Sequence, residues 1–109
     1  MSDTAFEHRI AELLLSRRPT ELPPIALADV LDRLIWVTRD NGAGIAAARE
    51  RWLLGNDSYA IEVALRMNET FPFRTLQEME TVLSLVEKEF PQFSSLCRDL
   101  VNTRKQSSS

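Results

Sequence analysis

Cysteine and histidine each occur once in the 109 residues, as Cys97 and His8. That scarcity removes whole classes of chemistry. A lone Cys97 cannot close an internal disulfide, and one cysteine with one histidine cannot furnish a structural zinc site. Nucleophile–base pairs of the Ser-His or Cys-His kind would all depend on His8. In a regular helix His8 falls about 160° from both Phe6 and Ile10, which predicts an exposed or half-exposed side chain. No Glu-x-x-His pair of the di-metal bundle type occurs. The chain is therefore expected to be non-catalytic and to carry no cofactor, and Cys97 reads as a reduced, small apolar residue.

Long apolar runs are also missing. None approaches the roughly 20 residues that a membrane span requires, and MSDTAFEHRI lacks the charged-then-apolar layout of a secretory signal. A cytoplasmic protein away from membranes is the expectation. No segment alternates with period two for long enough to make a strand. Gly42-Ala43-Gly44 has neither a strand before it nor the Gly-Lys-Ser/Thr that a phosphate loop needs. A formal charge of −3 argues against nonspecific nucleic-acid binding, although Arg49, Arg51, Arg66 and Arg74 fall close together in sequence. With 44% hydrophobic and 27% charged residues, composition is that of an ordinary globular domain able to bury a core without disulfides or metals.

What is present is a succession of helix signals, predicting an all-α, compact single-domain bundle of five or six short helices over residues 1–101. Thr4 and Glu7 form a capping box ahead of Phe6, Ile10, Leu13 and Leu14, one amphipathic stripe. Arg17 and Arg18 suit the C-terminal end of the helix dipole, and Pro19 stops it. Pro23 and Pro24 hold an extended connector. A second helix, about 25–38, carries Leu27, Val30, Leu31 and Leu34, and its last turn is apolar all round. Trp36 points roughly opposite Leu27; either a second layer covers it, the more economical arrangement, or it is a surface anchor. Arg39-Asp40-Asn41-Gly42 reads as a C-cap and loop. A third helix, 43–54, aligns Ile45, Ala48 and Trp52, with Gly55 as a left-handed cap and Asn56, Asp57 or Ser58 capping the next.

Residues 58–71 form the widest apolar surface in the chain. Only Glu62, Arg66 and Glu69 make a polar strip; Ala60, Ile61, Val63, Ala64, Leu65, Met67 and Phe71 cover roughly 200° of the cylinder. A surface helix needs about 100°, so this helix is read as the central one, receiving the stripes of the first helix and of 76–90. Phe71-Pro72-Phe73 and Phe90-Pro91-Gln92-Phe93 are corners in which proline blocks the helix while aromatics pack on both sides. Thr75 with Glu78 is a second capping box, opening a helix with Leu76, Met79, Leu83, Val86 and Phe90 on one face. Glu78, Glu80, Thr81, Ser84, Glu87 and Lys88 lie off that stripe. A last helix carries Leu96, Leu100 and Val101, and the polar residues 102–109 read as a flexible tail.

Gly55-Asn56-Asp57-Ser58-Tyr59 is the one chemically pointed stretch. Here the chain resembles the acyl and peptidyl carrier proteins, whose Asp-Ser pair opens a helix and bears phosphopantetheine on the serine. The resemblance spans about 25–86 and implies a prosthetic group on Ser58 beside Asp57, at a helix N-terminus that favours a phosphodiester. Tyr59 stands where that family has Leu or Met, and 43–52 reads as a helix where the family has an extended loop. A helix-turn-helix reading of the Phe73 corner would set the acidic side chains Glu78, Glu80 and Glu87 against phosphates. Trp52-Leu53-Leu54-Gly55 hints at a tetratricopeptide start that the later positions do not follow.

The function expected is non-catalytic protein–protein interaction by a small acidic helical protein of adaptor, inhibitor, immunity or chaperone type. The candidate contacts are Trp36, Tyr59, Met67 and Leu85, framed by Glu62 and Glu69. The partner is another protein or a second copy in a homodimer, and no nucleic acid is expected.

Overall fold

The computed structural model describes residues 3–38 and 40–107, with side chains from residue 5 onward. Among these residues are six α-helices, one 3-10 turn and no strand, the all-α bundle expected. In chain order they are α1 (Asp3–Ser16), α2 (Pro24–Ile35), α3 (Ala43–Leu53), α4 (Ser58–Arg66), α5 (Leu76–Glu89), the 3-10 turn Pro91–Phe93 and α6 (Ser94–Ser107). The side chain of Thr4, all of Arg39, and residues 108 and 109 lie outside the described residues, and with them parts of the first capping box, the 39–42 loop and the expected tail.

Helix α1 is turned relative to its expected stripe. Ala11 and Leu15 are buried, while Phe6 and Leu13 are exposed. The helix lies along α3, whose buried Gly44 and Ala48 are also small, so the two backbones approach closely. In this orientation the Trp52 Nε1–H donates to Glu12 at 3.1 Å. At the end of α1, Arg18 Nη1 donates to the carbonyl of Leu15 (2.6 Å), and its guanidinium stacks 3.7 Å over the Tyr59 ring. Arg18 thus serves the helix end.

Pro24, as first residue, pre-sets the dihedrals of α2. Its inner face is Leu27, Ala28, Leu31 and Ile35, with the carboxylate of Asp32 buried among them. The Tyr59 hydroxyl donates to the carbonyl of Leu22 (2.8 Å) just before α2. At the other end the Asn68 N–H donates to Asp32 Oδ2 (3.0 Å). Helices α2 and α4 therefore run parallel. Among the described residues between α2 and α3 the left-handed positions are Asn41 (φ 56°) and Gly42 (φ 82°). Gly55 is not left-handed, contrary to expectation. A Cβ on Gly42 would meet Ile35 Cγ2 at 2.7 Å, so this turn admits only glycine without rearrangement. Asp40 accepts from the N–H groups of Gly42 (3.0 Å) and Gly44 (2.8 Å), tying the loop to the start of α3.

Helix α4 begins as expected and ends early. Asp57 is its cap, accepting from Tyr59 N–H (3.0 Å) and Ala60 N–H (3.3 Å). Its core residues Ala60, Ile61, Val63, Ala64 and Leu65 are all buried. It stops at Arg66, not at 71, where Arg49 of α3 occupies Ala64 O and the Asn68 N–H, its next helical donor, goes to Asp32 instead. Arg49 Nε donates to Ala64 O (2.8 Å), Nη2 to Met67 O (2.7 Å) and Nη1 to Thr70 O (2.8 Å). With those acceptors satisfied the backbone goes extended at Met67 (φ −67°, ψ 128°). Glu69 lies beyond the helix, so the expected strip retains only the Glu62–Arg66 ion pair at 2.8 Å. The neighbours of α4 are α2, α3 and α6 rather than α1 and α5; α5 pairs with α6.

The α5 stripe is as read, with Met79, Leu83 and Val86 buried. Thr75 Oγ1 accepts from Glu78 N–H at 3.0 Å. The preceding corner is held from two sides. Phe73, left-handed at φ 67°, donates its N–H to Glu50 (3.0 Å), and its carbonyl accepts from Arg104 Nη2 (3.2 Å). At the second corner the Phe90 and Phe93 rings pack with centroids 6.0 Å apart. Arg104 sits where a flexible tail was expected; α6 instead continues to Ser107. Its guanidinium also donates to Pro72 O (2.7 Å) and Arg74 O (3.0 Å) and lies 5.5 Å over Phe71.

Candidate functional site

The sequence candidates do not converge on one surface. Trp36 is the C-cap of α2 and is exposed at 68%, with Val37 beside it at 75%; the layer expected to cover Trp36 does not exist among the described residues. Trp36 follows Asp32 by four residues in continuing helical conformation, which rotates it about 40° from the buried Asp32 toward the outer side of α2. Tyr59 and Glu62 are half-buried and already engaged, with Leu22 and Arg18 and with Arg66 respectively. Leu85 stands alone on α5, exposed at 58%. Met67 is a correction: with 0% of its surface exposed it belongs to the core, because it follows Val63 and Ala64 on the face of α4 that α2, α3 and α6 cover.

The outer side of α2 is the most apolar exposed surface. Ile25, Val30, Trp36 and Val37 are all exposed on one helix and its last turn, whereas Phe6 with Leu13, Leu54 and Leu85 are spread over three others. Asp29 and Arg33 are exposed between them, and the half-buried Ala26 lies in the same sector. This follows from geometry. The inner face uses Leu27, Leu31 and Ile35 against α4, and at 100° per residue the remaining apolar residues must point away. Val30, read from the sequence as part of the inner stripe, belongs to this outer side. The apolar last turn was the available signal, but Ile25, Asp29, Arg33 and Val37 were not singled out from it.

Behind this surface lies a buried electrostatic centre. Arg49, 1% exposed, is not part of a basic face with Arg51, Arg66 and Arg74. Burial pushes its pKa down to about 10 against the attraction of Asp32 and Glu50, and it remains a cation at neutral pH. Burial raises the Asp32 carboxyl above its ordinary 3.8, opposed by the backbone N–H groups of Asn68 and Glu69 and by the charge of Arg49. Asp32 Oδ1 has no hydrogen-bond partner. This pair closes the end of α4 and holds α2 in place from its inner side.

Ser58 is exposed as the first residue of α4, but the carboxylate of Asp57 is committed to the helix N-terminus. Glu78 is exposed on α5, with Glu80 and Glu87 half-exposed. His8 pairs with Glu12 at 3.4 Å. Among the described residues no three His, Cys, Asp or Glu side chains converge as metal ligands, and no helix is long and apolar enough to cross a membrane. Cys97 is buried, and burial, with Glu87 nearby, pushes its thiol up to about 11. Its thiolate fraction at neutral pH is negligible. Alkylation with iodoacetamide is expected to leave the native protein unmodified and to go to completion in denaturant; rapid native labelling would contradict the packing around α6.

Comparison with protein-family models, curated proteins and solved structures found no match for this chain.

Proposed function

We propose that this chain is a non-catalytic, cytoplasmic protein–protein interaction domain that binds through the outer side of α2, with Trp36 as its anchor. The observation that carries the reading is the exposure of Trp36 and Val37 at the end of an otherwise well-packed helix. Tryptophan is the side chain most enriched among residues that dominate binding energy. Contiguous exposed apolar surface on a soluble domain marks interaction sites. The inner face of α2 is fixed by the core and by Asp32, so the outer face is presented without rearrangement. The exposed Glu69 adds an acidic charge near Asp32.

Affinity capture from the native host tests the reading, with Trp36→Ala as the control. A partner held by wild type is expected to be lost by Trp36→Ala, since truncating such an anchor costs about 2 kcal/mol or more, while the thermal midpoint stays within a few degrees. Equal capture by both proteins would remove Trp36 from the binding face.

A second reading rests on exposed Ser58 at the N-terminus of α4, where a carrier-type phosphopantetheine would attach. Coexpression with a phosphopantetheinyl transferase and intact-mass measurement separates the two. The interaction reading expects an unmodified chain, and an added prosthetic group lost in Ser58→Ala would establish the carrier reading.

A further inference from the structure

We propose that the outer side of α2 docks a second copy of this chain, in an antiparallel two-fold pairing; the proposal rests on the interaction reading of this face and names its partner. Ile25, Asp29 and Arg33 follow one another at four-residue steps, a ridge of the kind that helices interdigitate, with members about 6 Å apart along the axis, and Val37 extends it in the tighter turn that follows Ile35. All four are exposed.

The order along the ridge is apolar, acidic, basic, apolar, which is self-complementary under a two-fold axis. Reversing the helix about a point between Asp29 and Arg33 brings each Asp29 to the other copy's Arg33, and each Ile25 to the other copy's Val37. Trp36 flanks this ridge on one side and Ala26 on the other. An isologous interface requires this self-complementarity, and a chance apolar stripe lacks it.

The charges are free for such a contact. Among the described residues neither the Asp29 nor the Arg33 side chain has a hydrogen-bond or ion-pair partner, although their spacing would allow one within the helix. The backbone that presents them is held from behind by the buried Leu27, Leu31 and Ile35.

Sedimentation equilibrium of the purified full chain tests the pairing. Wild type is expected to rise with concentration to twice the 12.4 kDa chain mass and no further. Asp29→Arg alone and Arg33→Asp alone each place like charges opposite one another twice, and each is expected to weaken association on the order of tenfold or more. Mixing the two variants restores opposite charges at both contacts, so the equimolar mixture should regain the wild-type dimer, as should the double exchange in one chain. A wild type that stays monomeric up to its solubility limit overturns the proposal, as does a mixture that fails to recover. If the monomer nevertheless captures a host protein through Trp36, the interaction reading stands without the dimer. A monomer that captures nothing removes both.

Discussion

Replacing Arg49 with leucine is expected to destabilise the fold by about 3–5 kcal/mol, the cost of breaking a buried charged network by removing one partner. Leucine fits the apolar line of Ile45, Ala48 and Trp52, so lost volume is not the cause. The cost arises because the carbonyls of Ala64, Met67 and Thr70 lose their donor and the buried Asp32 carboxylate loses its compensating charge. Against a typical total of about 5–15 kcal/mol, the variant should unfold at low urea concentration or fail to fold. Arg49→Lys should rescue only part, since one ammonium cannot span three carbonyls. A loss under about 1 kcal/mol in urea titration, well below the range for such a network, would show that these bonds do not hold the end of α4.

The partner residue gives the pH sign. The Asp32 pKa is raised in the folded state, so its contribution to stability is fully present below the unfolded value near 3.8 and is lost as pH rises through the folded value. Asp32→Asn removes that titration while keeping an oxygen for the Asn68 N–H. It should flatten the decline across that window, and Asp32→Asn should be less damaging in the Arg49→Leu background than in wild type, the signature of coupled sites.

Arg104→Met is the second large effect, expected at about 2 kcal/mol for losing charged hydrogen bonds at a half-buried site. Methionine keeps an apolar stem near Phe71 but cannot donate to Pro72, Phe73 and Arg74. The left-handed Phe73 then loses the clamp on its carbonyl and keeps only Glu50 on its N–H. Hydrogen exchange should accelerate at 72–75 and in the last turns of α6 together. Acceleration confined to α6 would mean that the corner stands without it.

Elements specified by local chemistry were legible in the sequence. The α5 stripe with its Thr75 cap, the buried line of α3 and the core side of α4 all follow from periodicity and neighbours in sequence. The misreadings share a different cause. Helix α4 ends where Arg49 and Asp32, distant in sequence, engage Ala64 O and the Asn68 N–H, and Arg104 ties α6 to the carbonyls of 72–74, interactions that no local window contains. The face that α1 buries is the one that packs on α3 and brings Glu12 to Trp52, forty positions away. The candidate surface was half legible. The all-apolar last turn of α2 pointed to Trp36, but whether a layer covered it depended on which elements settled against α2.

Fluorine NMR of protein labelled with 5-fluorotryptophan tests the central claim, that Trp36 is the point at which this chain is bound. The two indoles are reporters of opposite kind, Trp52 buried against Glu12 and Trp36 in solvent. At high dilution the Trp36 resonance should show the full shift between H2O and D2O, and the Trp52 resonance almost none. On raising the concentration, or on adding a captured partner, the Trp36 signal should move and lose its solvent shift while Trp52 stays in place. A Trp36 resonance that is already insensitive to solvent when dilute, or that keeps its solvent shift in every complex, would contradict the account.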